Sequence, residues 1–537
     1  MPLQGRIDTF AATQANPDLA TDAEIFNMQG DYGNSFFEAT THNNAFAPYT
    51  FNYWQYTDYY ASWHGVTTKG VPENLYDPDG YWGDRAFEFG LINMPNPAYT
   101  NAAHKNGSKS IGCIFLPRTG QTHRELLEKD ENGEFPIAKK LIEFANYYGF
   151  DGYFINQEET IPSEDVEPYK EFTKYLIDHG MWIQWYDSIT PSGGLSYQNE
   201  LNASNATFIH DDAYGLGKVN SSLFVNYDWF RTSGGQIKAE KSLQYAADNG
   251  IDPFTEVFFG VEANQGKLSG SHGSAKNVDY IYEPGTKNLR GSVALFTPSD
   301  WIQRGLEDDI GVKGAENDSG YYWMIAERER MYYSGVAQDP TNTGKMSGYE
   351  NSDIGVSNAS GWVGVADFAS ERSVIGGTTF YTNFNTGHGM EYYQDGQVLN
   401  ENEWANMNIQ DILPTWQWWI DTEGTKLNVD YDYGEKYQRL DKSGADIGTE
   451  YQKVGAYKGG SSLVVSGDLD AENFLHVYKT DLSVNDNTKV SITYNKACLL
   501  YTSQREPRPV CGSRQAGVHR CFGKRAGLAG ERQRVAG

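Results

Sequence analysis

"PIAKKLIEFANYYGFDGYFINQE", residues 136–158, contains a complete helix–glycine–strand unit. Ile137, Leu141, Phe144 and Tyr148 recur at helical spacing and stop at Gly149, the residue type that most readily takes the left-handed turn closing a helix. A strand follows at once, with Phe150, Tyr153, Phe154 and Ile155. It ends in Asn156-Gln157-Glu158-Glu159. An apolar strand that finishes on an amide and two carboxylates is either a catalytic strand end or the polar mouth of an ordinary strand.

The same unit recurs along the chain. "YKEFTKYLIDHG" (169–180), "GQIKAEKSLQYAADNG" (235–250) and "YTNAAHKNG" (99–107) are helical runs that end in glycine, and each precedes an apolar strand. Alternating strands and helices build a parallel sheet. The strands read as "NYWQYTD" (52–58), "FGLIN" (89–93), "SIGCIFL" (110–116), "FDGYFIN" (150–156), "MWIQWYD" (181–187), "SLFVNYD" (222–228), "EVFFGVE" (256–262) and "SVALFTP" (292–298). Eight such units over about 250 residues predict an α/β fold, a (β/α)8 TIM barrel. A doubly wound sheet is the alternative, but its glycine fingerprint after the first strand is missing. After about residue 340 short strands with Gly, Asn and Asp turns take over, as in a β-sandwich. The expected layout is an N-terminal extension over 1–44, the barrel over 45–340, and a β-sandwich region over 341–497. That last region is read as two modules, the second incomplete. A basic tail, non-native or disordered, follows over 498–537.

Composition narrows the function classes. The net charge of −28 argues against a nucleic-acid partner. No run of about 20 apolar residues exists to span a membrane. The 37 Tyr and 13 Trp suit cores and equally suit sugar faces, which present apolar C–H surface and hydroxyl edges. Cys113 stands apart from Cys498, Cys511 and Cys521, so no disulfide framework holds the body together. The last 40 residues carry eight Lys/Arg against two Asp/Glu, opposite in sign to everything before them.

In a barrel the site forms where the C-terminal strand ends meet. By this reading those ends offer Tyr56, Asp58, Asn93, Asn156, Glu158, Trp185, Tyr186, Asp187, Asn226, Tyr227, Trp229, Glu262, Asn264 and Trp301. They are carboxylates, amides and aromatics. No nucleophile motif, phosphate loop or metal-ligand spacing is present, so no cofactor and no metal are expected. Such a set suits carbohydrate chemistry. Side chains alternate along a strand, which places Phe154, Asn156 and Glu158 on one face and sends Glu159 elsewhere. Glycoside cleavage needs a proton donor at the leaving oxygen. Where the sugar carries a 2-acetamido group, its carbonyl oxygen can replace the protein nucleophile. An Asn beside the acid could orient that group. Equally, Asn156 and Glu158 could merely satisfy loop amides.

"FDGYFINQE" resembles the catalytic strand of glycoside hydrolase family 85, the endo-β-N-acetylglucosaminidases. The likeness extends to "NPAYTNAAHKNG" (96–107), "WIQWYDS" (182–188), "YQNELN" (197–202), "FVNYDW", "TNFNTGHG" (382–389), "DILPTWQWWI" (411–420) and "GGSSLVVSG" (459–467). The resemblance implies Glu158 as general acid/base, Asn156 as the orienting amide and Tyr186 as a contact of the reacting acetamide. It implies Trp185, Asn199 and Trp229 as sugar-site wall or support. Trp82, Glu262 and Trp301 complete the substrate-binding candidates, each with a structural role as its alternative. The substrate implied is the GlcNAc-β-1,4-GlcNAc core of N-linked glycans on glycoproteins, cleaved with retention through an oxazoline. Apart from the resemblance, a monomer is expected, though the sequence does not fix the oligomeric state. Secretion or a bacterial cell surface is the expected location, with the cytoplasm as alternative. Trp416, Trp418 and Trp419 read as inter-domain core.

Two rivals share parts of the pattern. A family 18 chitinase or endoglycosidase has the form DGxDxDxE, and Asp151, Gly152 and Glu158 fit it. Phe154 and Asn156, however, stand where that family has acids. A non-catalytic glycan-binding surface protein could keep the barrel shell but would have no need of Asn156, Glu158 and Tyr186 together.

Overall fold

The computed structural model of the chain describes residues 1–8, 14–29, 42, 44–46, 50–61, 92–116, 123–263, 268, 275–303, 319–356 and 361–496. Eight parallel staves close a barrel: Ile25–Met28, Tyr59–Ala61, Lys109–Leu116, Gly152–Gln157, Trp182–Tyr186, Ser222–Val225, Val257–Glu262 and Ser292–Phe296. The first stave pairs with both the second (Phe26 beside Tyr59) and the eighth (Ile25 beside Val293), which leaves no open edge. The second and third staves pair in turn at Tyr59 and Lys109.

The count of eight agrees with the sequence reading, but its first two members do not. The first stave is Ile25–Met28, inside the stretch expected to be an N-terminal extension. Four residues are too short a run to show a period. "FGLIN" supplies only Ile92–Asn93, which pairs antiparallel on the third stave and lies outside the ring. "NYWQYTD" is a 3-10 turn, Trp54–Tyr56, leading into the second stave. Tyr56 and Asp58 therefore precede a stave instead of ending one, and they sit at the N-terminal end of the barrel. Trp82 and Asn264 lie outside the described residues, as does the basic tail.

Alternation along the staves divides two cores. Phe26, Cys113, Phe154, Tyr186, Phe224 and Phe258 fill the barrel interior. Tyr153, Ile155, Ile183, Trp185, Leu223 and Phe259 face the surrounding helices. Helix Pro136–Tyr148 ends at Gly149 with φ +78°, as its sequence predicts. Its buried stripe is rotated from the expected one, however. Ala138, Leu141 and Ala145 meet the barrel, while Phe144 and Tyr148 are 38% and 37% exposed. The small alanines allow close approach, and the larger rings cover the rim.

Beyond the barrel, helix Ser319–Ser334 leads into short sheets. Their pairings are nested: Trp419–Thr422 with Asn473–His476, Asn428–Asp432 with Ser462–Ser466, and Gly376–Gly377 with Asp481–Leu482. Strands from both ends of the region pair with each other. Gln410 and Gln417 fasten it to the barrel. Trp54 Nε1 donates to Gln410 Oε1 (2.8 Å), and Gln417 Nε2 donates to Asn52 O (3.3 Å). Trp418 is buried in the shared core beneath the Arg330 guanidinium, as an inter-domain aromatic should be.

Candidate active site

The fourth stave delivers its polar end to the C-terminal mouth. Phe154 points inward, so two residues on, Asn156 points inward as well, and Glu158 follows just past the stave. Asn156 is buried and Glu158 half-buried. Asn156 Nδ2 donates to Glu158 Oε2 at 3.0 Å. Tyr197, from the loop after the fifth stave, donates its hydroxyl to the other oxygen, Oε1. Both carboxylate oxygens of Glu158 are thus engaged, and the Asn156 carboxamide has its NH2 turned toward the acid. Its own oxygen, an acceptor, is left for a group in the mouth.

The fifth stave places Tyr186 beside this pair. Its ring centroid lies 5.9 Å from that of Tyr197 and 5.4 Å from that of Phe224. Tyr186 donates to Asn226 Oδ1 at 2.7 Å. Burial, reinforced by Tyr227 and the Glu158 charge, holds its hydroxyl far above the usual tyrosine range, so it stays neutral. Asp187, the next residue, faces the other way and is 1% exposed. It accepts from the backbone N–H groups of Asn199 (2.7 Å) and Gln198 (3.2 Å) and from Asn205 Nδ2 (3.0 Å). Burial pushes its carboxyl up to about 6 against those donors. Asn199 has φ +57°, a conformation Asn tolerates better than most residues. Gly193, in the same loop, has φ +81°, and a Cβ there would sit 2.1 Å from Ile161 O. Only glycine lets the loop lie this close, where Ile161 N donates to Gly193 O (2.9 Å).

The other expected site residues divide. Glu262 ends the seventh stave, half-buried, on the inward face shared with Phe258 and Gly260. Its charge and that of Glu158 both act on the Tyr227 hydroxyl. Asn199 reaches the site through Asn226, whose Nδ2 donates to Asn199 Oδ1 at 2.7 Å. Trp185 and Trp229, expected as wall or support of the sugar site, are not part of its wall. Trp185 neighbours Tyr186, so alternation must turn it outward. It stacks on Phe208 at 4.9 Å in the helix layer. Trp229 is 0% exposed and donates its indole N–H to Gly260 O at 2.7 Å. Neither lines the mouth. Trp301 is half-buried on the short helix Pro298–Ile302, packed toward Tyr332 at 6.3 Å. The residue that sequence reasoning missed is Tyr197. It lies in a polar loop with no periodicity, and only the fold shows that the loop returns over Glu158.

An acid and an amide on one stave end, flanked by tyrosines, can protonate a leaving oxygen and hold an acetamido group beside it. Comparisons with known proteins show what the chain is similar to. Residues 32–392 match the family model described as glycosyl hydrolase family 85. The cytosolic endo-beta-N-acetylglucosaminidase of Danio rerio is 25% identical over 429 residues, 78% of this chain and 45% of the relative. The cytosolic endo-beta-N-acetylglucosaminidase 2 of Arabidopsis thaliana is 24% identical over 424 residues, 76% and 51% of the two chains. This chain thus spans about half the length of the curated relatives it matches. The glycoside hydrolase domain of Endo-D from Streptococcus pneumoniae R6 superposes with a TM-score of 0.66 at 27% identity, covering 90% of this chain and 65% of that one. A family model that spans most of the chain and includes the Asn156–Glu158 stave end identifies the protein as a member of glycosyl hydrolase family 85.

Proposed function

We propose that the chain is an endo-β-N-acetylglucosaminidase that cleaves the GlcNAc-β-1,4-GlcNAc core of N-glycans and leaves one GlcNAc on the protein. The 3.0 Å contact between Asn156 Nδ2 and Glu158 Oε2 carries this reading. It turns the carboxamide oxygen toward the mouth, where it accepts the N–H of a 2-acetamido group. The acetamide oxygen then attacks the anomeric carbon while Glu158 protonates the departing sugar oxygen. The ring that closes is an oxazolinium; the acetamide N–H proton passes to the Asn156 carboxamide oxygen, which takes the imidic-acid form, leaving a neutral oxazoline, and the proton returns when water opens the ring. Glu158, now a carboxylate, deprotonates a water that opens the ring, so configuration is retained. An acceptor sugar hydroxyl in place of the water gives transglycosylation. Tyr186, neutral and next to this pair, contacts the acetamide.

The names of the curated relatives favour the cytoplasmic location over the secreted one. The test is incubation with a high-mannose glycoprotein, followed by intact mass. The expected product is protein bearing a single GlcNAc. A glycoprotein of unchanged mass would overturn the activity, and cleavage of chitin instead would favour a chitinase. A second reading rests on Glu262, a carboxylate at the C-terminal end of the seventh stave. It would act as partner of Glu158 in ordinary two-carboxylate hydrolysis.

A further inference from the structure

We infer that Asp187, a residue that does not face the mouth, is the positioning residue for both site tyrosines, a role that rests on the activity proposed above. Two chains of contacts leave its carboxylate. The first is short. Asp187 Oδ1 and Oδ2 accept the N–H groups of Gln198 and Asn199, the two residues directly after Tyr197. The backbone that carries Tyr197 is therefore pinned where its hydroxyl meets Glu158 Oε1. The second runs through side chains. Asp187 Oδ2 holds Asn199 N, and Asn199 Oδ1 accepts from Asn226 Nδ2 (2.7 Å) and Asp228 N (3.0 Å). That fixes which way the Asn226 amide faces, so its Oδ1 accepts from Tyr186 (2.7 Å). Asn226 N also donates to Asp187 Oδ2, at 3.4 Å.

One buried carboxylate thus sets the tyrosine on the acid and the tyrosine beside the amide. Other ties share the loop: Ser196 N donates to Ser188 O (2.7 Å) just before Tyr197, and Lys238 Nζ to Gln198 O (2.8 Å) and Lys241 to Glu200 (2.9 Å) hold the side after it. An Asn at 187 would present an NH2 to N–H donors that need acceptors, while keeping the volume. A displacement of about 1 Å in a catalytic contact can cost up to roughly 100-fold.

The experiment compares wild type, Asp187→Asn, Asn199→Gly and Glu158→Gln. Asn199→Gly keeps the left-handed backbone and the Asn199 N–H bond to Asp187, and removes the side-chain relay together with the Asn199 Nδ2 bond to Tyr197 O (3.0 Å), so it remains informative should Asp187→Asn not fold. Steady-state hydrolysis of a high-mannose glycopeptide and hydrogen exchange of the amides of residues 198–199 are both measured. Asp187→Asn should lower kcat by about 10- to 100-fold with KM within about threefold, and should lose protection at 198–199. Asn199→Gly should lower kcat less, by about 10-fold. A folded Asp187→Asn with wild-type kcat, or an unfolded one alongside a wild-type kcat in Asn199→Gly, overturns the inference. The proposed activity itself is judged by Glu158→Gln. Should even the wild type leave the glycopeptide uncut, that activity fails and exchange alone decides. Lost protection at 198–199 then sustains the role of Asp187 in placing the loop, and unchanged protection overturns it.

Discussion

Both ends of the barrel hold a glutamate that accepts a hydrogen bond from a tyrosine, yet only one end is a candidate for catalysis. At the C-terminal mouth Tyr197 donates to Glu158. At the N-terminal end Tyr59 donates to Glu24 at 3.0 Å. Around Glu24 everything is packing and charge balance. Tyr59 stacks on Trp182 at 4.2 Å, Lys109 Nζ lies 5.2 Å from the Tyr59 ring, and Arg6 pairs with Asp58. Around Glu158 the decisive neighbour is an amide, Asn156, two residues back on the same stave. A carboxyl against a tyrosine occurs at both ends, whereas the carboxyl–amide pair opening on the mouth is what the proposed reaction requires. Stave 182–186 contributes to both ends, with Trp182 at one and Tyr186 at the other, which makes the two directly comparable.

Removing the acid should break the likeness most sharply. Glu158→Gln is expected to lower hydrolysis of a high-mannose glycoprotein by about 10²- to 10⁴-fold, the usual share of general acid–base catalysis. Glu24→Gln, at the other end, should change the initial rate by less than about twofold, since its partners lie far from the mouth. Equal losses in the two variants would mean that Glu158 acts through the fold. Next in size is Asn156→Ala, expected at about 10²- to 10³-fold through loss of a preorganised partner for the acetamide. Asn156→Gln should fail with the glycan but still use a preformed oxazoline donor. Indifference of that variant to the oxazoline would remove substrate assistance from the mechanism.

How far these ends were legible in the sequence follows from periodicity. Along 150–158 the period of two sorts every residue correctly: Tyr153 and Ile155 outward, Phe154 and Asn156 inward. The same rule applied to 182–187 excludes Trp185 from the wall once Tyr186 is taken as inward; its place at the strand end and the family resemblance had put it there. Trp229 could not be placed this way, because it lies in a 3-10 turn where no two-residue period exists. Asp58 was expected at the catalytic mouth because the run "NYWQYTD" was read as a strand, but its stave begins one residue later. The first stave, Ile25–Met28, is fixed by pairing with staves 59–61 and 292–296, and no local signal could reveal that. Tyr197 belongs to the same class of residue, positioned by long-range contacts of a loop.

Glu262 tests the mouth from its other side. It lies three staves round from Glu158, counted along the ring of pairings. Glu158 meets Asn156 and Tyr197, whereas Glu262 acts on the mouth through its charge at Tyr227. Glu262→Gln is therefore expected to cost at most about 10-fold, by altering the field at Tyr227 and sugar contacts, with retention unchanged in the NMR-monitored product. A loss on the scale of Glu158→Gln would make Glu262 a direct participant and favour the two-carboxylate reading.

The smallest effect expected belongs to Glu24, and it appears in stability, not rate. Burial and then the neighbouring Asp58 charge push its carboxyl from the ordinary 4.5 up to about 7, against the Tyr59 hydrogen bond and the Lys109 and Arg6 charges. A carboxyl whose folded value is raised binds its proton more tightly in the native state. Its contribution is complete below about pH 4.5 and is lost as pH climbs through about 7. Gln at this position has no proton to lose and can still accept from Tyr59 through its amide oxygen. The Tm of Glu24→Gln relative to wild type should therefore rise between pH 5 and pH 8, by about 2–4 °C, which corresponds to about 1 kcal/mol in a large domain. A pH-independent gap would mean that Glu24 stays ionised throughout. The tyrosine–glutamate contact at the closed end would then be held by charge, with Lys109 and Arg6 outweighing burial and Asp58.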